Sequence, residues 1–143
     1  MTFWHPQLLV GGMCHYMLPE CGSDFRRRDW PAPDGRYADE AIALLLKKMD
    51  IVGAPYKEYQ VKLLGGGNMF PNMHQNNVSR IGDLNVQAAR RLGKQHGFTC
   101  VAEHLGGIGY RSVCFEVWSG EVWVKHSRVL SLAAYELINR RLG

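Results

Sequence analysis

The chain has 143 residues, 46% of them hydrophobic and 21% charged, which describes an ordinary globular domain long enough to bury a core. No apolar run approaches the ~20 residues of a membrane helix and the opening residues lack a secretion pattern, so a cytoplasmic protein is expected. The net charge of +4 does not point to nucleic acid: Arg26–Arg28, the group Arg90, Arg91 and Lys94, and the pair Arg140 and Arg141 carry no interleaved aromatics on which bases could stack.

Met1 to Trp4 reads as a strand, His5-Pro6-Gln7 as a turn, and Leu8 to Leu18 as a long apolar arm, together a hairpin. The arms differ in length, and natural sheets avoid long unpaired apolar edges, so residues are expected ahead of Met1. With Trp4 facing Leu8, Thr2 faces Val10 and Met1 faces Gly11. The partner of His15 then falls about four residues before Met1, where opposed side chains meet at roughly 4.5–5.5 Å between β-carbons. Gly11 and Gly12 suggest a bulge that would shift this register. His15 itself is either a satisfied core histidine or a base held for chemistry. Cys14, its neighbour on a strand, points to the opposite face.

Glu20 to Arg36 is a polar, Pro- and Gly-rich loop with Trp30 as an anchor. Tyr37 to Met49 follows helical spacing at Ala38, Ile42, Leu45, Leu46 and Met49, and Gly53 supplies the stop. Tyr59 to Leu64 alternates as a strand and runs into Gly65-Gly66-Gly67-Asn68. No Gly-Lys-Ser/Thr follows, so these glycines read as a close backbone approach rather than a phosphate loop. Pro71 to Ser79 is a second polar loop. Ile81 to Asn85 then leads into a helix through about Gly93, with Val86, Ala89 and Leu92 on the buried side.

Phe98 to Glu103 is a strand, and Leu105 to Arg111 a second glycine cluster that fails the dinucleotide fingerprint because no helix follows it. Val113–Val117 and Glu121–Lys125 form a hairpin about Ser119-Gly120. Ser127 would cap a C-terminal helix with Leu130, Ala134, Leu137 and Ile138 inward and Arg140 and Arg141 at its end. There is no internal repeat.

Residues 11–19, Gly-Gly-Met-Cys-His-Tyr-Met-Leu-Pro, resemble the signature of the chemoreceptor glutamine deamidase CheD family. Lys62–Met69 is similar to that family's Lys-Leu-Phe-Gly-Gly-Ala segment. Ile81, Gly82 and Asn85 match another, although Leu84 stands where an arginine is usual. Gly106, Gly107 and Arg111 fit its Gly-Gly-x-x-Gly-Arg motif, with Tyr110 in place of the last glycine. The resemblance covers nearly the whole chain in order. It implies an α+β fold, a layered sandwich of two mixed β-sheets with helices packed outside, with residues 1–143 as a single CheD-like domain short of its N-terminal strand.

The function implied is a protein-glutamine deamidase acting on methyl-accepting chemoreceptors. A thiolate attacks the carboxamide to form a thioester, and water hydrolyses it. The resemblance makes His15 the base, and sets the family's cysteine, with the threonine that orients the histidine, before Met1. It assigns substrate binding to Gly66, Gly67, Asn68, Gly106, Gly107 and Arg111, requires no cofactor or metal, and implies chemoreceptors and the phosphatase CheC as partners. The alternative is a catalytically inactive binding module for CheC or receptors.

Four cysteines without a Cys-x-x-Cys spacing are expected as reduced thiols. Cys21, in the loop, could swing toward His15. Cys100 and Cys114 read as core residues. The histidines and cysteines show no zinc-ligand spacing.

Overall fold

Strand β1 (Thr2–His5) turns back through Pro6–Leu9 into β2 (Val10–Met13). The computed structural model describes residues 1–22, 33–69 and 78–128. Helix α1 (Ala38–Val52) follows, then a single 3₁₀ turn at Tyr56–Glu58, strand β3 (Gln60–Gly65), helix α2 (Val78–Gln95) and strands β4 (Thr99–Leu105), β5 (Tyr110–Phe115) and β6 (Val122–Ser127).

The first four strands in space run β2-β1-β3-β4, with β1 antiparallel to β2 and β3, and β3 parallel to β4. Strands β5 and β6 form a separate antiparallel pair. One face of the larger sheet presents Phe3, Tyr59, Val61 and Leu63 to Ala38, Ile42 and Met49 of α1 and to Ala88, Ala89 and Leu92 of α2. The other face meets the β5–β6 hairpin. There the Trp4 indole N–H donates to the Val117 carbonyl at 2.8 Å and the Lys62 ammonium to the Gly120 carbonyl at 2.8 Å. Helices on one side of the sheet and a hairpin on the other make the α+β layering expected from the sequence.

Helix boundaries follow local chemistry. Tyr37, extended at φ −100°, offers α1 no side-chain cap; instead the Ala38 N–H donates to the Leu18 carbonyl at 2.9 Å. Asp39 and Glu40 in the first turn suit the helix dipole. Gly53, at φ +78°, ends the helix as expected. Helix α2 starts earlier than Ile81 and runs past Gly93. It stops at Gly97 (φ +69°), where the Phe98 N–H donates to the Gly93 carbonyl at 3.0 Å and the Gly97 N–H to that of Lys94 at 3.2 Å. A glycine inside a helix costs only about 1 kcal/mol, so Gly93 does not break it.

Four expectations need correction. Trp4 faces Gly11, not Leu8, and Thr2 faces Met13. The turn is longer than His5-Pro6-Gln7, because Leu9 takes a left-handed φ of +52° and its N–H donates to the His5 carbonyl at 2.9 Å. The paired arm is also shorter than Leu8–Leu18. Its ladder ends at Cys14, whose N–H donates to the Met1 carbonyl at 3.0 Å. Finally, Cys100 and Cys114 are exposed. Among the described residues strand β4 is the last of its sheet, and Cys114 lies on the outward face of β5 with Tyr110 and Ser112.

Tyr110 carries no left-handed strain; the positive φ angles of that segment fall on Gly106, Gly107 and Gly109, the last at +111°. Ser127 is the last residue of β6. Arg26–Arg28, Trp30, the loop from Pro71 to 77 and the helix expected after Ser127 lie outside the described residues.

Candidate active site

Exposure alternates along residues 11–18: Gly11, Met13, His15 and Met17 face outward, and Gly12, Cys14, Tyr16 and Leu18 are half-buried. The chain therefore stays extended beyond β2, and His15 projects away from Cys14. His15 is not a buried core histidine. It is flanked on its own face by Met13 and Met17, which are 52% and 62% exposed.

Past Cys14 this segment is held by other elements. The N–H groups of Met17 and Leu18 both donate to the Arg36 carbonyl, at 2.8 and 3.0 Å. From the opposite side, the Tyr16 hydroxyl donates to the Asn85 carbonyl at 3.1 Å, and the Asn85 side-chain amide donates to the Met17 carbonyl at 2.9 Å.

A cavity of about 100 Å³ opens beside His15. Cys14, Tyr16, Gly65, Gly66 and Asn85 share its wall with the apolar side chains of Leu63, Val86, Ala89 and Leu105. Burial raises the Cys14 thiol above its ordinary range and raises the Tyr16 phenol further still. Both stay protonated near neutrality, so Cys14 is a poor nucleophile as well as a misdirected one.

Of the residues expected at the site, His15 and Gly66 line this cavity. The others stand behind its wall, where the two glycine clusters are knotted together. The Gly106 N–H donates to the Gly65 carbonyl at 2.9 Å, the Asn68 N–H to Gly107 at 2.8 Å, and the Gly109 N–H to Asn68 at 2.9 Å. A β-carbon on Gly67 would strike the Gly109 carbonyl oxygen. Arg111 bonds inside this knot, through Nη2 to the Gly106 carbonyl at 2.6 Å and through Nε to His104 Nδ1 at 2.7 Å. Burial lowers the Arg111 pKa, and its Nη1 finds no acceptor among the described residues.

Asn85 is not among the residues expected at the site. The signal that points to it is the spacing of Gly82 and Asn85, three apart and hence on one helix face. Cys21 is half-buried, with its N–H donating to Asp39 Oδ1 at 3.3 Å. Among the described residues no three His, Cys, Asp or Glu side chains form a metal-binding group, and no helix is long and apolar enough to cross a membrane.

An exposed histidine on an extended segment, next to a cavity lined by two glycines and several apolar side chains, sits on a helix-covered mixed sheet: this is an α+β domain with helices outside its sheets. The chain belongs to the CheD family, matching the family described as CheD chemotactic sensory transduction over residues 17–126. It is 46% identical over 127 residues to the probable chemoreceptor glutamine deamidase CheD of Pseudomonas fluorescens, an alignment covering 88% of this chain and 69% of that protein. It is 40% identical over 136 residues to the probable chemoreceptor glutamine deamidase CheD 1 of Chromobacterium violaceum, covering 92% and 66%. With the probable chemoreceptor glutamine deamidase CheD of Archaeoglobus fulgidus the identity is 34% over 128 residues, covering 90% and 77%.

Proposed function

We propose that this domain deamidates glutamine side chains of methyl-accepting chemoreceptors, with His15 as the general base. The observation that carries the reading is an exposed His15 on a segment whose opposite face, at Cys14 and Tyr16, lines a cavity together with Gly66. The names of the relatives supply the substrate class. An open site flanked by Met13 and Met17 suits a glutamine presented on a protein surface rather than a small free molecule.

The nucleophilic thiolate comes from a continuation of β1 ahead of Met1. On the observed register the ladder position opposite His15 directly precedes Met1, and the next position on the same face lies two residues further on. The thiolate attacks the carboxamide carbon, and the imidazolium gives its proton to the departing ammonia. Water then attacks the thioester as the imidazole takes its proton, releasing a glutamate side chain and restoring the thiol. Gly66 lines the substrate carboxamide, while Gly67, Asn68, Gly106, Gly107 and Arg111 support it from behind. No cofactor enters the reaction.

The test is ammonia release, with the glutamine-to-glutamate mass change, on receptor fragments. The protein carrying the β1 continuation is expected to turn over and to lose ~10²–10⁴-fold in rate on His15→Ala. No turnover by that protein would overturn the deamidase reading and favour a binding module for receptors or the CheC phosphatase. The 143-residue chain alone is expected to release no ammonia. Release by it, abolished by His15→Ala, would move the nucleophile to an internal cysteine such as Cys21.

A further inference from the structure

We propose that Asn85 is the positioning residue for His15, holding the extended segment that bears the imidazole against helix α2. The inference rests on the reading of His15 as the base, and it stands on geometry. The ladder with β1 releases the chain at Cys14, and the next backbone anchor is the pair of bonds from Met17 and Leu18 to the Arg36 carbonyl. His15 sits between these two anchors. Asn85 grips the same interval from α2 twice: its carbonyl accepts from the Tyr16 hydroxyl at 3.1 Å, and its side-chain amide donates to the Met17 carbonyl at 2.9 Å.

These contacts bracket the residue immediately after His15 and the next one on its own face. An extended chain fixed at both points cannot rotate its intervening peptide without breaking one of them, so the direction of the imidazole follows from α2. A base held within a few tenths of an ångström of its reacting partner gives far more rate than one that wanders. The Asn85 side chain is also oriented by this bond. Its amide nitrogen faces Met17, leaving Oδ1 buried with no donor among the described residues.

The experiment compares Asn85→Ala, Asn85→Asp and Tyr16→Phe. Aspartate keeps the size and the acceptor but has no N–H for Met17 once ionised, so it isolates the donor if the alanine variant folds poorly. Hydrogen exchange in the 143-residue chain reads the anchoring without any need for turnover. The Met17 and Leu18 amides are expected to exchange at least about tenfold faster in both Asn85 variants and less so in Tyr16→Phe, with Ala88, Ala89 and Leu92 unchanged. Unchanged Met17 and Leu18, or acceleration spread evenly through α2, would overturn the inference.

In the protein that turns over, kcat should fall at least about tenfold with KM unchanged. A rise in KM at constant kcat would mean that Oδ1 contacts substrate instead, and would overturn the positioning role. Absence of turnover in the parent protein sinks the deamidase reading and leaves the exchange result standing.

Discussion

Gly66 and Gly82 meet backbone to backbone. A β-carbon on Gly66 would lie 2.8 Å from the Gly82 carbonyl oxygen, and one on Gly82 would lie 2.6 Å from that of Gly66. Gly66 also needs its φ of +67°. This contact sets how closely α2 approaches the loop after β3, and one helical turn further on it brings Asn85 and Val86 to the cavity.

Gly82→Ala therefore tests the contact with a sign opposite to helix propensity. Alanine inside a helix ordinarily stabilises by up to about 1 kcal/mol. Here the opposing atom is backbone, which has no rotamer to change, so a net loss of about 1–3 kcal/mol is expected in a urea titration. A gain in stability would show that α2 and the loop do not touch.

Alkaline pH should loosen the segment that carries His15. Cys14 and Tyr16 both have folded-state pKa values raised by burial, so each favours the folded protein while protonated. That contribution is whole below the unfolded pKa values, roughly 8.5 for a thiol and 10 for a phenol. It is lost as pH rises through the higher folded values. The urea midpoint should fall between about pH 8 and about pH 10.5, and fall less steeply in Cys14→Ala and Tyr16→Phe. Parallel profiles for all three proteins would remove these groups as the cause.

The turn from β1 to β2 depends on His5, which is 2% exposed. Its Nδ1 accepts from the Leu8 N–H at 3.3 Å, leaving Nε2 to donate to Glu58 at 3.2 Å, and its ring meets Tyr59 edge-on at 5.0 Å between centroids. His5→Ala removes two hydrogen bonds and a packed ring, for an expected loss of about 2–4 kcal/mol by urea denaturation. Glu58→Gln keeps an acceptor for Nε2 on an exposed side chain and should cost well under half as much. Equal losses would mean that the Glu58 charge, rather than the buried ring, holds the turn.

How much of this was legible depended on whether the cause was local. The α1 stop at Gly53 and the alternation of β3 were readable because a left-handed cap and a period of two are written in neighbouring residues. The alternating faces of the segment around His15 were readable for the same reason. The turn before β2 was not, since nothing about leucine announces a left-handed Leu9, and that one residue moves the whole register. Exposure of Cys100 was equally hidden, because β4 becomes the last described strand of its sheet only when the strand order is known. Asn85 reaches Met17 across 68 positions of sequence, a pairing that no local pattern encodes.

Arg111 gives the last prediction. Its guanidinium holds His104 Nδ1 and the Gly106 carbonyl at once, and lysine, a point donor on a flexible stem, cannot span both. Accepting at Nδ1 requires His104 to be neutral with its proton on Nε2, a tautomer that imidazole nitrogen chemical shifts report directly. Arg111→Lys should release that tautomer preference and speed exchange at the Asn68 and Gly109 amides, which tie the glycine clusters together. The stability loss should be about 1–3 kcal/mol, as for other broken bonds to a charged donor. If His104 keeps the same tautomer and both amides stay protected in Arg111→Lys, the knot holds without the guanidinium, and Arg111 is released for a direct role toward substrate through Nη1, which has no acceptor among the described residues.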